Sequence, residues 1–567
     1  MNGTTSFISK DYTITDWAHL EPYFTQLLQR DINSKADLAQ WLKDRSDLES
    51  VVSEDLAWKY INMTRDTTDK EKEQAYIDFV SEIQPQISPI ENDLNKKLES
   101  SPYTKQFSDS AHKIYLRNTL TSLELYRAEN IPLEVEIQTE SQKYGTISGA
   151  MTVEMEGKEL TLQQAAVYMK KLDRDIRKEA FEKISNRRLQ DKDTLDSLLN
   201  RLIELRDKVA KNADFDNFRD YMHTALCRFD YTVNDCFKFH DAVAGQVVPL
   251  AKKLAEERKS KLGYESLKPW DGDVNPDGLP PVHPFNNGEE LAEKTIAAFN
   301  RLDPFFGEVI STMRAKGHLD LDSRKGKAPG GYNYPLAVSN YPFIFMNSAG
   351  TLRDLETMVH EGGHAIHSVL TKDLELNAFK SCPSEVAELA SMSMELISMD
   401  VWDEFIKDPN ELRRAKAEQL EGVIKTLPWI ATVDKFQHWL YTNPTRSNEE
   451  RTTAWTEIAD EFGTGTTDWT GYEEAYKYAW QRQLHIYEVP FYYIEYGFAQ
   501  LGAIGVWKNY VENNAEGLHL YKAALSLGNT ATIPEIYAAA GVKFDFSPEY
   551  IKQLFDFVWA EYEKLKG

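Results

Sequence analysis

Asp354-Leu355-Glu356-Thr357-Met358-Val359-His360-Glu361-Gly362-Gly363-His364-Ala365-Ile366-His367-Ser368-Val369-Leu370 is the stretch around which the rest of the chain is read. Leu355, Met358, Val359, Ile366, Val369 and Leu370 recur at helical spacing, which predicts a helix with an apolar stripe. Residues four apart lie one turn apart on nearly the same side of such a helix, so the imidazoles of His360 and His364 can converge on one ion. Glu361 borders that face, where a carboxylate can take a proton from a metal-activated water. The pattern His-Glu-x-x-His therefore points to metal-assisted hydrolysis. Gly362 and Gly363 run against the helix, since each costs about 1 kcal/mol relative to alanine. Their presence predicts that another helix or a substrate approaches the backbone closely there.

A third ligand is sought downstream, in Cys382-Pro383-Ser384-Glu385-Val386-Ala387-Glu388-Leu389-Ala390-Ser391-Met392-Ser393-Met394-Glu395. Pro383 can open a helix, and Glu388 and Glu395, seven apart, then share a face among small and apolar neighbours. Two neutral histidines and one carboxylate hold a zinc ion with a fourth position left for water. Spacing alone leaves Glu385 and Glu388 as rivals for that role. Glu395 and Asp354 are the candidate outer partners that would accept the second ring N–H of a ligating histidine. His367 lies near the same face and is expected to be structural.

Upstream, Lys325-Gly326-Lys327-Ala328-Pro329-Gly330-Gly331-Tyr332 is expected to be flexible and Tyr341-Pro342-Phe343-Ile344-Phe345-Met346-Asn347 to be a strand. Such a strand offers a peptide substrate an edge for backbone pairing, which makes Gly330, Gly331, Phe345 and Asn347 candidate substrate-binding residues. The competing reading is a buried strand that stabilises the start of the helix. Near the other end, His485-Ile486-Tyr487-Glu488-Val489-Pro490-Phe491-Tyr492-Tyr493-Ile494-Glu495-Tyr496 gathers three tyrosines about a histidine. A tyrosine hydroxyl stays protonated at neutral pH and can donate to a developing oxyanion.

The remaining chain is predicted to be mostly helical. Periodicity from Trp17 to about Leu98 suggests long antiparallel helices broken at Pro85 and Pro89, and Leu133–Ile137 with Met151–Met155 suggests a small hairpin. A boundary near residue 190 divides an N-terminal helical lobe, residues 1–190, from a catalytic unit, residues 191–567. Asp and Glu outnumber Lys and Arg by 90 to 65, a formal charge of -25 that argues against nucleic acid or an anionic membrane as partner. Three cysteines, Cys227, Cys236 and Cys382, make no disulfide framework, and no segment has the length and apolarity of an export signal or membrane span. A cytoplasmic protein is expected, a monomer or small homo-oligomer.

Taken together, His360–His367, Ala387–Ser391, Pro342–Asn347, Val433-Asp434-Lys435-Phe436-Gln437-His438-Trp439-Leu440-Tyr441 and the His485–Tyr496 segment resemble the M3 family of zinc metallopeptidases, that of thimet oligopeptidase and neurolysin, and most closely its oligoendopeptidase F branch. The resemblance implies an all-α, predominantly helical fold with small β elements, two lobes and a deep central channel. It implies one zinc per chain on the channel floor and hydrolysis of internal bonds in short peptides. It favours Glu388 over Glu385 as third ligand and makes Glu361 the general base. It also casts His485, Tyr493 and Tyr496 as catalytic groups and Tyr492 as a substrate contact. Gly362 departs from the bulkier apolar residue common at that position, and tyrosine spacing varies between branches. The competing functions are a helical zinc carboxypeptidase, which trims ends, and a peptide-binding protein that keeps zinc without turnover.

Overall fold

The computed structural model describes residues 6–566 except 325 and 329, so Lys325 and Pro329 of the glycine-bearing run lie outside the described residues, as does the start of the amino terminus. Helices dominate, and among the described residues five short strands make two small sheets. Among the described residues, no helix is long and apolar enough to cross a membrane.

The amino-terminal helices Trp17–Gln29, Lys35–Arg65 and Gln84–Ser100 bury Leu20, Phe24, Leu27, Leu38, Trp41, Leu94 and Leu98 in an apolar core of their own. Each of the first two starts on a side-chain cap, from Asp16 and Ser34. Pro85 and Pro89 do not break the chain as expected. Pro85 falls in the first turn, where a missing N–H costs nothing, and helical backbone runs on from Lys70 to Ser100 through a wider turn at Phe79–Ile83.

A second, much larger core runs from Tyr144 to Tyr562. The hairpin is present, as β1 (Thr152–Met155) paired antiparallel with β2 (Lys158–Thr161), but Leu133–Ile137 is not part of it. Those residues belong to the helix Ile131–Gly149, which packs on Lys192–Asn212. Tertiary packing there overrides the local alternation.

The second sheet positions the site. Its order is β3 (Leu319–Asp322), β5 (Phe343–Ser348), β4 (Tyr332–Tyr334), with β5 parallel to β3 and antiparallel to β4. β5 is thus the central strand, paired on both sides, and offers no free edge to a substrate. Phe345 is fully buried, its ring stacked 4.7 Å from that of Tyr332. Asn347 Nδ2 donates to the Ala328 and Gly330 carbonyls, both at 2.8 Å, and so ties the glycine-bearing loop to β5. Lys327 is buried against Asp320, 2.9 Å away, so the described part of that loop is anchored and not free.

Candidate metal centre and its surroundings

β5 delivers the chain to the helix Leu352–Leu370, which begins on a capping box. Thr351 Oγ1 accepts from Asp354 N at 3.2 Å, and Asp354 Oδ2 accepts from the amides of Thr351 and Ala349, both at 2.9 Å. This corrects the expectation for Asp354. Its carboxylate is occupied at the helix start, and it hydrogen-bonds neither His360 nor His364. The two glycines are explained by close neighbours. A Cβ at Gly363 would lie 2.7 Å from the Ala390 carbonyl oxygen and Ser391 Cα of a crossing helix, and one at Gly362 would lie 2.7 Å from the Phe299 ring.

That crossing helix, Ser384–Ile397, brings the third ligand. Glu388 Oε2 lies 3.4 Å from His360 Nε2 and 3.7 Å from His364 Nε2, and the three donor atoms fall within 4.8 Å of one another. Ser391 Oγ donates to the same Oε2 at 2.9 Å, a contact with no signal in the sequence. Glu385 points elsewhere: it accepts from the Tyr231 hydroxyl at 2.6 Å, with the Arg228 guanidinium 4.0 Å away. His367, 4% exposed, has the Cys382 thiol as its side-chain hydrogen-bond partner among the described residues, 3.8 Å from its Nδ1, and stays outside the group.

An outer partner fixes His360. Its Nδ1 lies 2.7 Å from Glu395 Oε1, whose other oxygen accepts from Gln419 Nε2 at 3.0 Å. The pairing with Glu395 hands one ring proton to a carboxylate and leaves Nε2 facing Glu388. Burial disfavours charge on His360, yet the Glu395 bond and the Glu388 charge outweigh it and raise its pKa to about 9, so a cation must displace a ring proton to bind there. Burial and the His360 charge drive His364 down to about 3, so it is neutral, as a ligand must be. Burial raises Glu361 to about 7, reinforced by the neighbouring carboxylates, which suits a group that must gain and lose a proton near neutrality. Asn333 Nδ2 holds the Glu361 backbone oxygen at 3.1 Å, tying β4 to the helix.

The segment His485–Tyr496 closes the site from the opposite side. Tyr492 donates to Glu388 Oε1 at 2.8 Å. The His485 ring lies 4.9 Å from that of Tyr493 and 5.8 Å from that of Tyr496, with its Nδ1 2.7 Å from Gln483 Nε2. Burial pushes His485 down to about 4, so it is neutral. Burial, then the Glu388 charge, keeps the Tyr496 hydroxyl protonated far beyond physiological pH. The segment is held in a strained turn: Phe491 has φ 67°, its N–H is accepted by Gln437 at 2.6 Å, and its carbonyl accepts from Arg228. Neither Gln437 nor Arg228 announces this task in the sequence.

Of the candidate residues, His360, Glu361, His364, Glu388, Glu395, His485, Tyr492, Tyr493 and Tyr496 are brought to one locality. Gly331 lies against β5, its absent Cβ 3.2 Å from the Phe345 oxygen, and Gly330 adopts φ 97° with open space beside it. Phe345 and Asn347 serve the sheet and the loop instead of a substrate.

Residues 167–555 match the family model described as Peptidase family M3, and residues 7–126 match Peptidase M3 N-terminal domain. An oligoendopeptidase F homolog of Lactococcus lactis subsp. lactis is 24% identical over 420 residues, 72% of this chain and 67% of that protein. The group B oligopeptidase PepB of Streptococcus agalactiae is 22% identical over 401 residues, 70% of this chain and 65% of that protein. Among solved structures, PZ peptidase A with an inhibitor aligns with a TM-score of 0.92 at 27% identity, and a putative oligoendopeptidase F with 0.92 at 26%, each over 99% of both chains.

Proposed function

This chain belongs to peptidase family M3 and is a metalloendopeptidase, and from that premise we propose that it is a zinc-dependent oligoendopeptidase cutting internal bonds of short peptides. The observation that carries the proposal is the convergence of His360, His364 and Glu388 with Glu361 alongside. Two imidazoles and one carboxylate suit zinc by donor type, and the side chains of His360 and His364 are 20% and 19% exposed, so solvent and substrate can reach them. When bound there, zinc supplies Lewis acidity toward a water and a peptide carbonyl. The protein's own groups do the rest. Glu361 takes the proton of the attacking water and passes it to the leaving amine. Tyr496 or Tyr493 donates to the carbonyl oxygen as negative charge gathers on it, and neutral His485 orients the substrate between them. The free edge of β4, next to the motif helix, is the place where an extended peptide would pair, and Gly330 and Gly331 leave room for it.

Glu361→Gln tests the base directly. The variant should keep one zinc per chain by elemental analysis while turnover of a fluorogenic peptide falls on the order of 10³-fold or more. Normal cleavage by it overturns the assignment. Peptides blocked at both ends separate this reading from a carboxypeptidase, which could not cut them.

A further inference from the structure

The two faces of the sheet formed by β3, β5 and β4 meet different neighbours. Ile344 and Met346 of β5 belong to the large core that includes the motif helix, whereas Phe343 and Phe345 pack with Ala57, Ile61 and Leu336 in a small core against the helix Lys35–Arg65. The register carries this alternation into β4. Asn333, opposite Ile344, turns to the motif helix, while Tyr332, opposite Phe345, and Tyr334, opposite Phe343, turn to the amino-terminal helices. Burial falls off across that second face. Phe343 and Phe345 are fully buried, but Tyr332 and Tyr334 on the outer strand are only half-buried.

The open part of this face is aromatic. The Tyr332 ring is stacked on Phe345, so its other face is turned away from β5. Tyr60, on the helix Lys35–Arg65, stands 5.5 Å from the Tyr332 ring and 5.6 Å from that of Tyr334. Tyr76, on the helix Lys70–Asp78, stands 5.7 Å from Tyr60, and both are half-buried. The Tyr332 hydroxyl is hydrogen-bonded to Thr64 Oγ1 at 2.6 Å, and the Thr64 carbonyl accepts from Ala328 N at 2.8 Å. Four tyrosines thus make one fixed wall, two from the strand and two from the amino-terminal lobe. The wall adjoins the reaction centre, because Asn333, between the two strand tyrosines, reaches the Glu361 backbone oxygen at 3.1 Å.

We propose that Tyr60, Tyr76, Tyr332 and Tyr334 form a subsite for an apolar side chain of the peptide substrate, so that the amino-terminal lobe takes part in choosing the bond that is cut. This rests on the peptidase reading above and on an extended substrate pairing with the free edge of β4. Successive residues of such a strand face opposite sides of the sheet. A substrate residue set opposite Tyr332 or Tyr334 has its Cβ about 4.5–5.5 Å from that of the tyrosine and lies against the wall, and the residue between, opposite Asn333, faces the motif helix. The wall therefore sets a preference at every second position. An apolar side chain there leaves water for aromatic rings, whereas a carboxylate gives up its hydration to rings that offer no counter-charge.

The test takes a series of end-blocked peptides cut at one bond, with Leu or Asp placed in turn at each position on both sides of that bond. Wild type, Tyr76→Ala, Tyr60→Ala and Tyr60→Phe are compared as zinc-loaded enzymes. Tyr76→Ala disturbs the fold least, because the helix that carries Tyr76 buries none of its residues. In wild type, kcat/KM should favour Leu over Asp by about tenfold or more at alternate positions, chiefly through KM. Tyr76→Ala and Tyr60→Ala should each cut that ratio to about threefold or less at one or both of those positions and leave the ratio at the position between unchanged, whereas Tyr60→Phe should keep the wild-type ratio. Variants that keep the full ratio, that lower it at every position alike, or that slow every peptide by the same factor overturn the subsite. Wild-type ratios that do not differ between alternate positions also overturn it and leave the peptidase reading standing, whereas a wild type that cuts no peptide overturns both.

Discussion

Among the described residues, two clusters have donor atoms of the kind and spacing that can hold a metal: His360, His364 and Glu388, and, on the helices Val233–Gln246 and Pro409–Thr442, Cys236, Asp434 and His438. They differ in what lies around them. In the first, the imidazoles are partly open and the second nitrogen of His360 is engaged by Glu395. In the second, Cys236 and Asp434 are fully buried and His438 is 6% exposed. Asp434 Oδ2 lies 2.8 Å from His240 Nε2 and 3.2 Å from His438 Nε2, while both histidine Nδ1 atoms and Asp434 Oδ1 have no partner. A ligating histidine nearly always hands its other N–H to an acceptor, and a catalytic site keeps an open position. The second cluster has neither feature. It is a hydrogen-bonded brace between two helices, and the contrast points to outer partners and access, more than the ligands themselves, as what separates a reaction centre from an internal network.

The widest separation between the clusters should come from removing one carboxylate at a time. Glu388→Gln should lower bound zinc from one per chain toward none and cut peptide turnover on the order of 10³-fold or more, with the apo protein remaining folded by circular dichroism. Asp434→Asn should do the reverse. Zinc stays at one per chain, and stability in urea falls by about 1–3 kcal/mol, because the variant weakens the acceptor shared by the buried rings of His240 and His438. Loss of a metal equivalent from Asp434→Asn, or two equivalents in the wild type, would dissolve the distinction.

The sequence carries one half of this contrast better than the other. His360 and His364 are legible because four-residue spacing on an apolar-striped helix has one geometric outcome, and Gly362 and Gly363 correctly signal close neighbours, which prove to be Phe299 and the Ala390–Ser391 backbone. Glu395 is legible from its seven-residue offset to Glu388. Asp354 was misplaced although Thr351-x-x-Asp354 spells a capping box, a local signal that outranks a role at a distance. Phe345 could not be placed from sequence, because alternation does not tell a central strand from an edge. Both partners of β5 come from separate segments, residues 319–322 and 332–334. The brace was invisible for the same reason: His240 and Asp434 are 194 residues apart, and nothing local reports their meeting.

The smaller effect is on acid stability, and it probes the brace alone. Burial holds the His240 pKa below its ordinary 6.5 even though the Asp434 hydrogen bond and charge pull upward and the neighbouring His438 and Lys435 charges push down. Below pH 6.5 the unfolded chain therefore binds a proton at this position that the folded chain refuses, and stability falls as the pH drops from 7 toward 5. The Asp434 carboxyl, held well below the usual range chiefly by His438 and His240 against the cost of burial, adds its own loss only at pH values below about 4, where the unfolded carboxylate takes up its proton. His223, pushed by burial to about 4, acts in the same direction and in the same window as His240. Urea unfolding midpoints of the zinc-loaded enzyme should thus decline between pH 7 and 5, and His240→Phe should flatten part of that decline, with other histidines whose pKa burial lowers, His223, His318, His367 and His485, contributing to the remainder. Because the brace holds no ion, repeating the series in chelator should lower every midpoint by a constant amount from the loss of the first site, down to the pH where that site releases its ion. A His240-dependent slope that vanishes in chelator would mean that the closed cluster grips a metal after all, and the contrast between the two sites would fail.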